Sequence, residues 1–444
     1  MDEAQKAMTL TVIKIGLLGL GTVGASVIRI LQKNKVAIEK KCGCSFEVII
    51  ACARDLEKAR DCSLDGLILT TDPLEVVRHP EVEVVVELIG GTTIALEVLI
   101  EAIEKSKHVV TANKAVIALH GNELIGTAKR NDVFLGFEAA IAGSIPVVKT
   151  LRESLVGNSI SKVVGIVNGT CNFMLSGMSE SGCSFGTILK EAQTLGYAEA
   201  DPSFDVDGID AGHKLAILAS LAFGGAIQFE KVSIDGIREI LVDDLVYANA
   251  LGYKVKHLAL AINSTSGIEL RVHPTLIPKG HVLANIDGVL NAVLIDAEET
   301  GPLLLSGAGA GGDATASSVI SDLVSLAAKS SQKQNIQRAE FQAKSDVRSE
   351  VKVLPIENIS SAYYLRIQAL DKPGVLAEIS QNLASSEVSI EAIRQQESHG
   401  DDGSVPIIII TRKITEAAIA NACKHIGNSD NVCGDIVRYR VESP

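Results

Sequence analysis

The sequence contains no tryptophan, and aromatic residues make up only 3% of its 444 residues. A chain so poor in aromatic rings offers few surfaces on which nucleic-acid bases could stack. Its formal net charge is −13 and no basic patch compensates for it, so we do not expect nucleic acid as the main partner. The chain also lacks a run of about 18 apolar residues and a signal-peptide pattern at its N-terminus. We therefore expect a soluble, cytoplasmic protein without a membrane partner.

Cysteine is present without any disulfide framework. The eight cysteines are scattered along the chain with no secretory context, so we expect reduced thiols. Cys42 and Cys44 could form half of a metal site, but no second Cys or His pair follows at a zinc-like spacing. Structural or neutral roles are expected for these residues.

The first 140 residues alternate apolar strands with amphipathic helices. The whole chain contains 38 glycines, as expected of an α/β protein with many tight turns. This alternation predicts an α/β fold with a parallel sheet of the Rossmann type. We assign it to residues 1–145, completed by about 306–330. Residues 146–305 predict an α+β catalytic and dimerisation domain, and the polar segment 331–361 a linker. Residues 362–444 predict the order βαββαβ, which is the ferredoxin-like plan.

A glycine-rich segment follows the first predicted strand and opens a helix. Its glycines are Gly19, Gly21 and Gly24, with Thr22 and Val23 between the last two. Gly19 permits a tight turn, Gly21 lets the backbone approach a pyrophosphate, and Gly24 allows close packing of the helix. The helix N-terminus supplies N–H donors to the phosphates. The segment predicts a dinucleotide site, and the alternative is a glycine-rich turn without a ligand.

The end of the second strand bears on the choice of cofactor. Arg54 comes first, Asp55 is adjacent, and we expect Lys58 one helical turn further on. An acid at this place would bind the ribose hydroxyls of NAD, whereas an arginine would hold the 2′-phosphate of NADP. Arg54 and Lys58 favour NADP, and NAD stays possible because of Asp55.

Two further strand ends lie at the carboxyl edge of the predicted sheet, where ligands bind in such folds. One carries Thr92 and Thr93, and the other carries Lys114. A solvated lysine is the plainer interpretation of Lys114.

The stretch 198–214 holds five carboxylates and ends in a lysine, just before an apolar run. If residues 209–223 form a helix, Asp210 and Lys214 share one face of it. An acid and an ammonium held together in a cleft could bind a polar amino acid and move a proton. The alternative is a surface ion pair of small energetic value.

Five segments resemble the homoserine dehydrogenase family, in the form that carries a C-terminal ACT domain. They are 19–24, 111–115, 138–143, 165–170 and the acidic stretch 198–214, and they occur in the family's order. The resemblance covers essentially the whole chain. It implies a reversible, NAD(P)H-dependent reduction of L-aspartate 4-semialdehyde to L-homoserine.

The resemblance also implies roles for individual residues. Lys214 would be the general acid, with Lys114 as the second lysine at the reacting end and Asp210 completing the catalytic set. The residues that would bind the substrate, besides Asp210, are Glu199, Asp205, Gly169 and Thr170. The chemistry agrees, because an ammonium stabilises the negative charge that hydride transfer builds on the aldehyde oxygen. Carboxylates can bind the substrate's α-ammonium.

Two further sites follow from the resemblance alone. A monovalent cation, sodium, would bind at Glu138 and at backbone groups of Ile141, Gly143 and Ile145. Gly307 belongs to a late glycine-rich segment that would return to the cofactor.

The C-terminal unit resembles an ACT domain, recognisable in the turn 371–376. Such domains bind amino acids, usually between paired copies, and the implied ligand is threonine as a feedback inhibitor. A dimerisation module that binds nothing is the alternative. The family implies a homodimer or homotetramer.

Two other functions remain open at this point. One is another NAD(P)-dependent enzyme for a related amino acid or semialdehyde, which would not need the complete set of Glu199, Asp210 and Lys214. The other is a non-enzymatic amino-acid sensor, which the loss of Lys214 or Lys114 would have favoured. Both lysines are present.

Overall fold

A computed structural model describes residues 10–331, 350–395 and 403–443 of the chain. These residues divide into two units. The first comprises the described parts of Met1–Asn158, Ala216–Phe229 and Leu305–Glu350. The second comprises the described parts of Ser159–Leu215, Glu230–Leu304 and Val351–Pro444.

The N-terminal part of the first unit alternates strands and helices. In chain order these are β1 (Thr11–Leu18), α1 (Thr22–Lys33), α2 (Lys35–Cys42), β2 (Cys44–Cys52), β3 (Ile68–Thr70), α3 (Pro73–Arg78), β4 (Val84–Glu87), α4 (Thr93–Glu104), β5 (His108–Thr111), α5 (Lys114–Arg130), β6 (Leu135–Gly136) and α6 (Val147–Lys149). The strands pair in parallel in the order β3-β2-β1-β4-β5-β6. This is the strand order of dinucleotide-binding doubly wound sheets. The chain adds strands on one side of β1 up to β3 and then, from β4 onward, on its other side, so the topological switch point lies between β1 and β4.

The central strands of this sheet explain its stability. Ile15 and Leu17 in β1 and Val84, Val85 and Val86 in β4 have no exposed surface. Strands buried on both faces are expected to be continuously apolar rather than alternating, as these are. Because the strands are parallel, their carboxyl ends meet at one edge of the sheet. The glycine turn and the loops after β4 and β5 lie at this edge.

The remaining elements run from Ile160 to Val441. They are β7 (Ile160–Ile166), α7 (Gly169–Ser181), α8 (Phe185–Thr194), α9 (Ser203–Val206), α10 (Ile209–Phe223), β8 (Ser233–Ile234), α11 (Val242–Ala250), β9 (Tyr253–Ser264), β10 (Gly267–Pro278), β11 (Leu290–Ala297), β12 (Gly301–Ala308), α12 (Gly312–Ser331), β13 (Ser360–Leu370), α13 (Val375–Ser385), β14 (Ile390–Gln395), β15 (Ser404–Thr411), β16 (Ile414–Thr415), α14 (Glu416–Gly427) and β17 (Val437–Val441). Short 3₁₀ turns cover Glu138–Ala140, Phe229–Lys231, Val282–Asn285 and Ile356–Asn358, and a π-helical turn covers Thr150–Ser154.

The C-terminal βαββαβ unit extends the sheet of the second unit. The strand order is β12-β11-β7-β9-β10-β17-β13-β15-β14, and β17 pairs in parallel with β10. Tyr364 of β13 stacks on Tyr439 of β17, with ring centroids 5.9 Å apart. Both rings share one apolar cluster with Val255 and Leu276 of β9 and β10. Because this apolar cluster contains residues of β9 and β10 as well as of β13 and β17, the C-terminal βαββαβ segment shares its core with the rest of the second unit.

The predicted fold class is confirmed, with a parallel Rossmann sheet, an α+β part and a ferredoxin-like C-terminal unit. Helix α10 has the range 209–223 considered from the sequence. The last strand of the predicted βαββαβ order begins at Val437, after Gly434, which has φ of 70° and so interrupts an extended chain.

The predicted linker 331–361 falls mostly on residues outside the described ranges. Its later part is not an unattached linker, because Ile268 N–H donates to the Lys352 carbonyl and Leu354 N–H donates to the Ile268 carbonyl. Placing the domain borders at 145, 305 and 361 stays a prediction. None of the helices in the described ranges combines the length and the hydropathy needed to cross a lipid bilayer. All eight cysteines have free thiols in the structure.

Candidate active site

The glycine turn of the first unit joins β1 to α1. Gly19 has φ of 106°, and a Cβ there would lie 2.7 Å from the Leu88 carbonyl oxygen, so only glycine fits. A Cβ at Gly24 would overlap the Gly19 carbonyl oxygen, whereas a Cβ at Gly21 meets no atom within 4 Å. Two of the glycines are therefore required by the fold, and the third leaves open space at the N-terminus of α1. Space and N–H donors at that place fit a pyrophosphate.

The loop after β2 carries the residues expected to choose between NAD and NADP. Asp55 Oδ1 accepts the N–H groups of Glu57 and Lys58 at 3.0 and 3.1 Å, so this acid is engaged in its own turn. Arg54 and Lys58 are exposed. The residues after Arg54 form a loop rather than the expected helical turn. The loop thus presents the exposed cationic residues Arg54 and Lys58, whereas the Asp55 carboxylate accepts hydrogen bonds from the backbone of the loop.

Arg60 attaches this loop to the glycine turn, a role that the sequence did not reveal. Its Nε donates to the Leu20 carbonyl at 3.1 Å, and its Nη1 donates to the Lys58 carbonyl at 2.6 Å. Its Nη2 also donates to the Asp55 carbonyl. One guanidinium therefore fixes the cofactor-selecting loop beside the turn.

Glu87, at the end of β4, is a fully buried carboxylate. Its Oε1 accepts the N–H groups of Ile89 and Gly90 at 2.9 and 3.0 Å, and its Oε2 accepts the Thr111 hydroxyl at 2.6 Å. Burial raises the pKa of Glu87, and these hydrogen bonds oppose the rise. The carboxylate ties the loops after β4 and β5 together.

Asn113 makes a second tie between the same loops. Its Oδ1 caps α5 by accepting the Val116 N–H at 3.1 Å, and its Nδ2 donates to the Gly91 carbonyl at 2.7 Å. The predicted cofactor residues on these loops are Thr92, at the N-cap of α4, Thr93, which follows it, and Lys114, the first residue of α5. A lysine at the positive end of a helix dipole is unfavourable, so Lys114 is not there to stabilise α5.

The late glycine segment lies against the start of α1. A Cβ on Gly312 would come within 2.8 Å of the Thr22 side chain. A Cβ on Gly307 would meet Ile145 and Ser144 at 3.4 and 3.5 Å. The structure therefore places this segment between the glycine turn and the loop that contains Gly143 and Ile145.

The loop expected to bind sodium has a distinctive backbone. Ala142 and Gly143 have φ of 54° and 57°. The Glu138 carboxylate is already engaged, because its two oxygens accept the N–H groups of Val148 and Lys149 at 2.8 and 2.9 Å. Each backbone carbonyl oxygen has two lone pairs and keeps one after accepting a single hydrogen bond. A cation here would thus be held by the carbonyls of Glu138, Ile141, Gly143 and Ile145. No group of three or more His, Cys, Asp or Glu side chains suited to a metal occurs among the described residues.

The second unit buries the ion pair suggested by the acidic stretch. Lys214 Nζ lies 2.8 Å from Asp210 Oδ2 and donates to the Val167 carbonyl at 2.6 Å. Asp210 is 1% exposed and Lys214 7% exposed. Because both side chains are buried, Asp210 and Lys214 do not form the exposed surface ion pair that was the alternative interpretation of the sequence. Their burial places a desolvated ammonium beside a carboxylate at the end of β7.

The substrate residues around this pair are partly assembled. Asn168 Nδ2 donates to Asp205 Oδ1 and to Asp210 Oδ2, both at 2.8 Å. The Thr170 hydroxyl donates to the Tyr197 carbonyl at 2.7 Å and lies 3.4 Å from Asp205 Oδ2. The structure therefore joins Thr170, Asp205, Asp210 and Lys214 through one amide that we did not single out from the sequence.

Gly169 and Glu199 stand at the margin of this cluster. A Cβ on Gly169 would lie 2.9 Å from the Val289 carbonyl oxygen, so the close approach of β11 requires glycine. Glu199 is exposed after α8, and Gln193 Nε2 donates to its backbone carbonyl at 3.0 Å. The structure does not show the Glu199 carboxylate within the cluster.

A Rossmann unit with an open glycine turn and a buried lysine–carboxylate pair are the parts of a nicotinamide-dependent oxidoreductase. Comparison with known proteins specifies the family. A homoserine dehydrogenase profile matches residues 146–324, the NAD binding domain of homoserine dehydrogenase matches 19–138, and an ACT domain matches 363–422.

Individual relatives span nearly the whole chain. A homoserine dehydrogenase from Pseudomonas aeruginosa is 48% identical over 433 residues, which cover 97% of this chain and 99% of the relative. The crystal structure of a homoserine dehydrogenase from Thiobacillus denitrificans is similar with a TM-score of 0.92 at 45% identity, covering 98% of this chain and 99% of that one. A hyperthermophilic archaeal homoserine dehydrogenase in complex with NADPH is similar with a TM-score of 0.61 at 27% identity, covering 74% of this chain and 100% of that one.

The chain belongs to the homoserine dehydrogenase family. It is an NAD(P)-dependent oxidoreductase that acts on a CH–OH group, with a C-terminal ACT domain, and the family's reaction belongs to amino-acid biosynthesis.

Proposed function

We propose that this enzyme catalyses the reversible reduction of L-aspartate 4-semialdehyde to L-homoserine and that Lys214 is its general acid. The observation that carries the proposal is the buried contact of 2.8 Å between Lys214 Nζ and Asp210 Oδ2. Asn168 bridges Asp205 and Asp210 beside this ammonium. Carboxylates in that place favour a substrate that carries a cationic amino group.

The chain's own residues supply the proton chemistry. A bound nicotinamide donates or accepts the hydride. Lys214 stabilises the negative charge that grows on the aldehyde oxygen and then donates a proton to it. Asp210 holds the ammonium in place and keeps it charged in a desolvated setting. In the reverse direction the neutral amine of Lys214 accepts the hydroxyl proton.

A comparison of two aldehydes tests the substrate assignment. The enzyme should reduce aspartate semialdehyde and discriminate strongly against 4-oxobutanoate, which is the same aldehyde without the amino group. Leaving buried carboxylates without their cationic partner costs affinity, so we expect at least about 100-fold lower kcat/KM for 4-oxobutanoate. Equal kcat/KM for both aldehydes would contradict the assignment of Asp205 and Asp210 to the amino group.

We infer NADP as the preferred cofactor, with NAD as the alternative. The exposed Arg54 and Lys58 and the engagement of Asp55 in its own turn support this preference. Arg54→Ala should raise the KM for NADPH more than the KM for NADH. Equal changes in both values would refute a contact between Arg54 and the 2′-phosphate.

We also infer that threonine binds the ACT domain and slows the enzyme. Support comes from the segment 233–240, which contacts both the C-terminal strand and the substrate loop. On one side, Arg440 Nη1 lies 3.1 Å from Asp235 Oδ2, and the Tyr439 hydroxyl donates to the Glu239 carbonyl at 3.1 Å. On the other side, Ile237 N–H donates to the Val206 carbonyl at 2.8 Å, and Arg238 pairs with Asp207. A change in the C-terminal strand would therefore reach the loop that carries Asp205.

Threonine inhibition is best tested on the full chain. Removing residues 361–444 would expose the apolar cluster that Tyr364 and Tyr439 share with β9 and β10. Threonine should lower the rate of the wild type, and Arg238→Met should retain threonine binding, measured by calorimetry, while the inhibition weakens. Absence of threonine binding in the wild type would leave the ACT domain with an assembly role.

We infer a sodium requirement and a homodimer or homotetramer from the family, and a cytoplasmic location from the N-terminal sequence and the lack of a long apolar run. Exchanging sodium for choline should lower the activity or the thermal stability if the carbonyls of the 138–145 loop hold a cation. Unchanged activity and stability in choline would remove the cation from the account.

A further inference from the structure

We propose that Asn168 is a positioning residue of the active site, which holds the Asp205 and Asp210 carboxylates side by side, ionised and in register with Lys214. The identity of the substrate in this inference rests on the proposed function. The role of Asn168 itself rests on its own contacts and on a test that does not require that substrate.

The amide of Asn168 can be oriented in only one way. Asn168 ends the turn after β7 and is 5% exposed. Its Oδ1 accepts the Cys171 N–H at 2.8 Å, as the N-cap of α7. A carboxamide has one acceptor end and one donor end, so the NH₂ group must face the two carboxylates. Its contacts to Asp205 Oδ1 and Asp210 Oδ2, both 2.8 Å, follow from the cap.

The Asn168 NH₂ group bridges the Asp205 and Asp210 carboxylates, and this bridge opposes the electrostatic repulsion between them. Both carboxylate oxygens lie 2.8 Å from the same nitrogen, so they are no more than about 6 Å apart. Two carboxylates so close, one buried and the other half-buried, each favour protonation of the other. Two N–H donors favour the charged forms and oppose that tendency. With both carboxylates charged, Asp210 can hold Lys214 while Asp205 stays beside this pair.

Other ionisable groups surround the amide of Asn168. Burial raises the pKa of the Cys171 thiol well above its usual range, and Asp205 and Asp210 add to the rise. Burial lowers the pKa of His257, whose Nε2 lies 3.0 Å from the Asp235 carbonyl. His213 packs edge-on against Phe204, with ring centroids 5.4 Å apart. Asp207 is paired with Arg238. The charged groups in direct contact with the amide are therefore the two carboxylates.

A role as a helix cap alone is the competing explanation. Serine caps helices as well as asparagine does, because its hydroxyl also accepts an N–H of the first turn. Asn168→Ser therefore retains the cap and removes both donors to the carboxylates. Asn168→Asp also retains a cap but replaces the donors with a third acidic group.

Asn172 offers a matched control on the same helix. It is 1% exposed, and its Nδ2 donates to the carbonyls of Ile286 and Leu290 at 3.0 and 3.2 Å. Asn172→Ser thus removes two buried donors of the same kind from neutral acceptors, and it also removes one acceptor from Lys256, whose Nζ lies 3.2 Å from Asn172 Oδ1. Loss of that acceptor disfavours the charged lysine, an effect that weakens as the pH rises, so the fall in Tm of Asn172→Ser should not grow between pH 5 and pH 8.

The test measures stability and kinetics against pH. In Asn168→Ser the carboxylates should bind protons more readily in the folded state, and such a change removes stability as the pH rises. Its fall in Tm relative to the wild type should therefore be several degrees larger at pH 8 than at pH 5. In the plot of kcat/KM against pH, the acid limb of Asn168→Ser should lie about one pH unit higher than that of the wild type. The KM of the aldehyde should rise at least about tenfold, and the Kd of NADPH should stay unchanged. Asn168→Asp should show larger effects.

The outcomes separate this inference from the proposed function. An Asn168→Ser protein whose fall in Tm, like that of Asn172→Ser, does not grow from pH 5 to pH 8, and whose pH profile of kcat/KM keeps its acid limb, would overturn the inference. A wild type that does not reduce aspartate semialdehyde would overturn the proposed function. In that event the pH-dependent fall in Tm would still support the bridge, and its absence would still refute it.

Discussion

The glycine turn supports a contrast between two substitutions that look equivalent in the sequence. Gly21→Ala and Gly24→Ala each add one methyl group to the same turn. Gly21 has φ of −79° and ψ of −161°, an extended backbone that alanine also adopts, and its Cβ would meet no protein atom within 4 Å. A Cβ at Gly24 would overlap the Gly19 carbonyl oxygen. The two variants should therefore fail in different ways.

The magnitudes follow from these surroundings. At Gly21, alanine is a poorer N-cap but restricts the unfolded chain, so the free energy of unfolding should change by less than about 1 kcal/mol. The methyl group would occupy the space that a pyrophosphate needs, and NADPH should bind at least about tenfold more weakly, a loss of about 1.4 kcal/mol. At Gly24, the backbone must shift, which costs about 1–3 kcal/mol of stability, or roughly 2–12 °C in Tm for a domain of this size.

Thermal unfolding and a fluorescence titration with NADPH measure both effects. Gly157→Ala is the control, since its Cβ also meets open space and it lies outside the turn. It should leave Tm and the Kd of NADPH unchanged. Wild-type NADPH affinity in Gly21→Ala would refute the assignment of this turn to the cofactor, and a wild-type Tm in Gly24→Ala would refute the steric requirement for glycine at that position.

Two further predictions concern other parts of the molecule. Burial raises the pKa of Asp322 from 3.8 to about 7, so its stabilising protonated form is fully present below about pH 4 and is lost as the pH rises to about 7. Asp322→Asn stays neutral and can still accept the Glu138 N–H, so its stability advantage over the wild type should grow by about 2–3 kcal/mol between pH 5 and pH 8 in denaturant titrations; a constant difference would contradict the buried charge. Gly169→Ala should raise the KM of the aldehyde at least about tenfold without weakening NADPH, because its Cβ would press on the Val289 carbonyl; a normal KM would remove Gly169 from the substrate site.

Much of the fold could be predicted because its signals are local. Continuous apolar runs such as the one containing Ile15 and Leu17 identify central parallel strands, and the helix at 209–223 follows from an apolar stretch behind acidic residues. The joining of β17 to β10 could not be predicted, because it pairs residues such as Leu276 and Val441 that are far apart in the chain. The short strand β3 carries too few residues to give a periodic signal.

The candidate site shows the same division. The pairing of Asp210 with Lys214 follows from their spacing on one helix, but its burial depends on packing against β7. Asn168 was visible only as part of a strand-to-helix turn, and its contact with Asp205 spans 37 positions in the chain. Arg60 gave no signal, because an arginine in a polar loop is ordinarily solvated.

The central claim is that Lys214 protonates the product of a nicotinamide-dependent aldehyde reduction. The most direct measurement follows NADPH absorbance at 340 nm with aspartate semialdehyde for the wild type and for Lys214→Ala, with the Kd of NADPH measured for both. We expect oxidation by the wild type, a turnover at least about 100-fold lower in Lys214→Ala, and equal NADPH affinity in both proteins. No oxidation by the wild type, or a Lys214→Ala enzyme that turns over at nearly the wild-type rate, would contradict this claim.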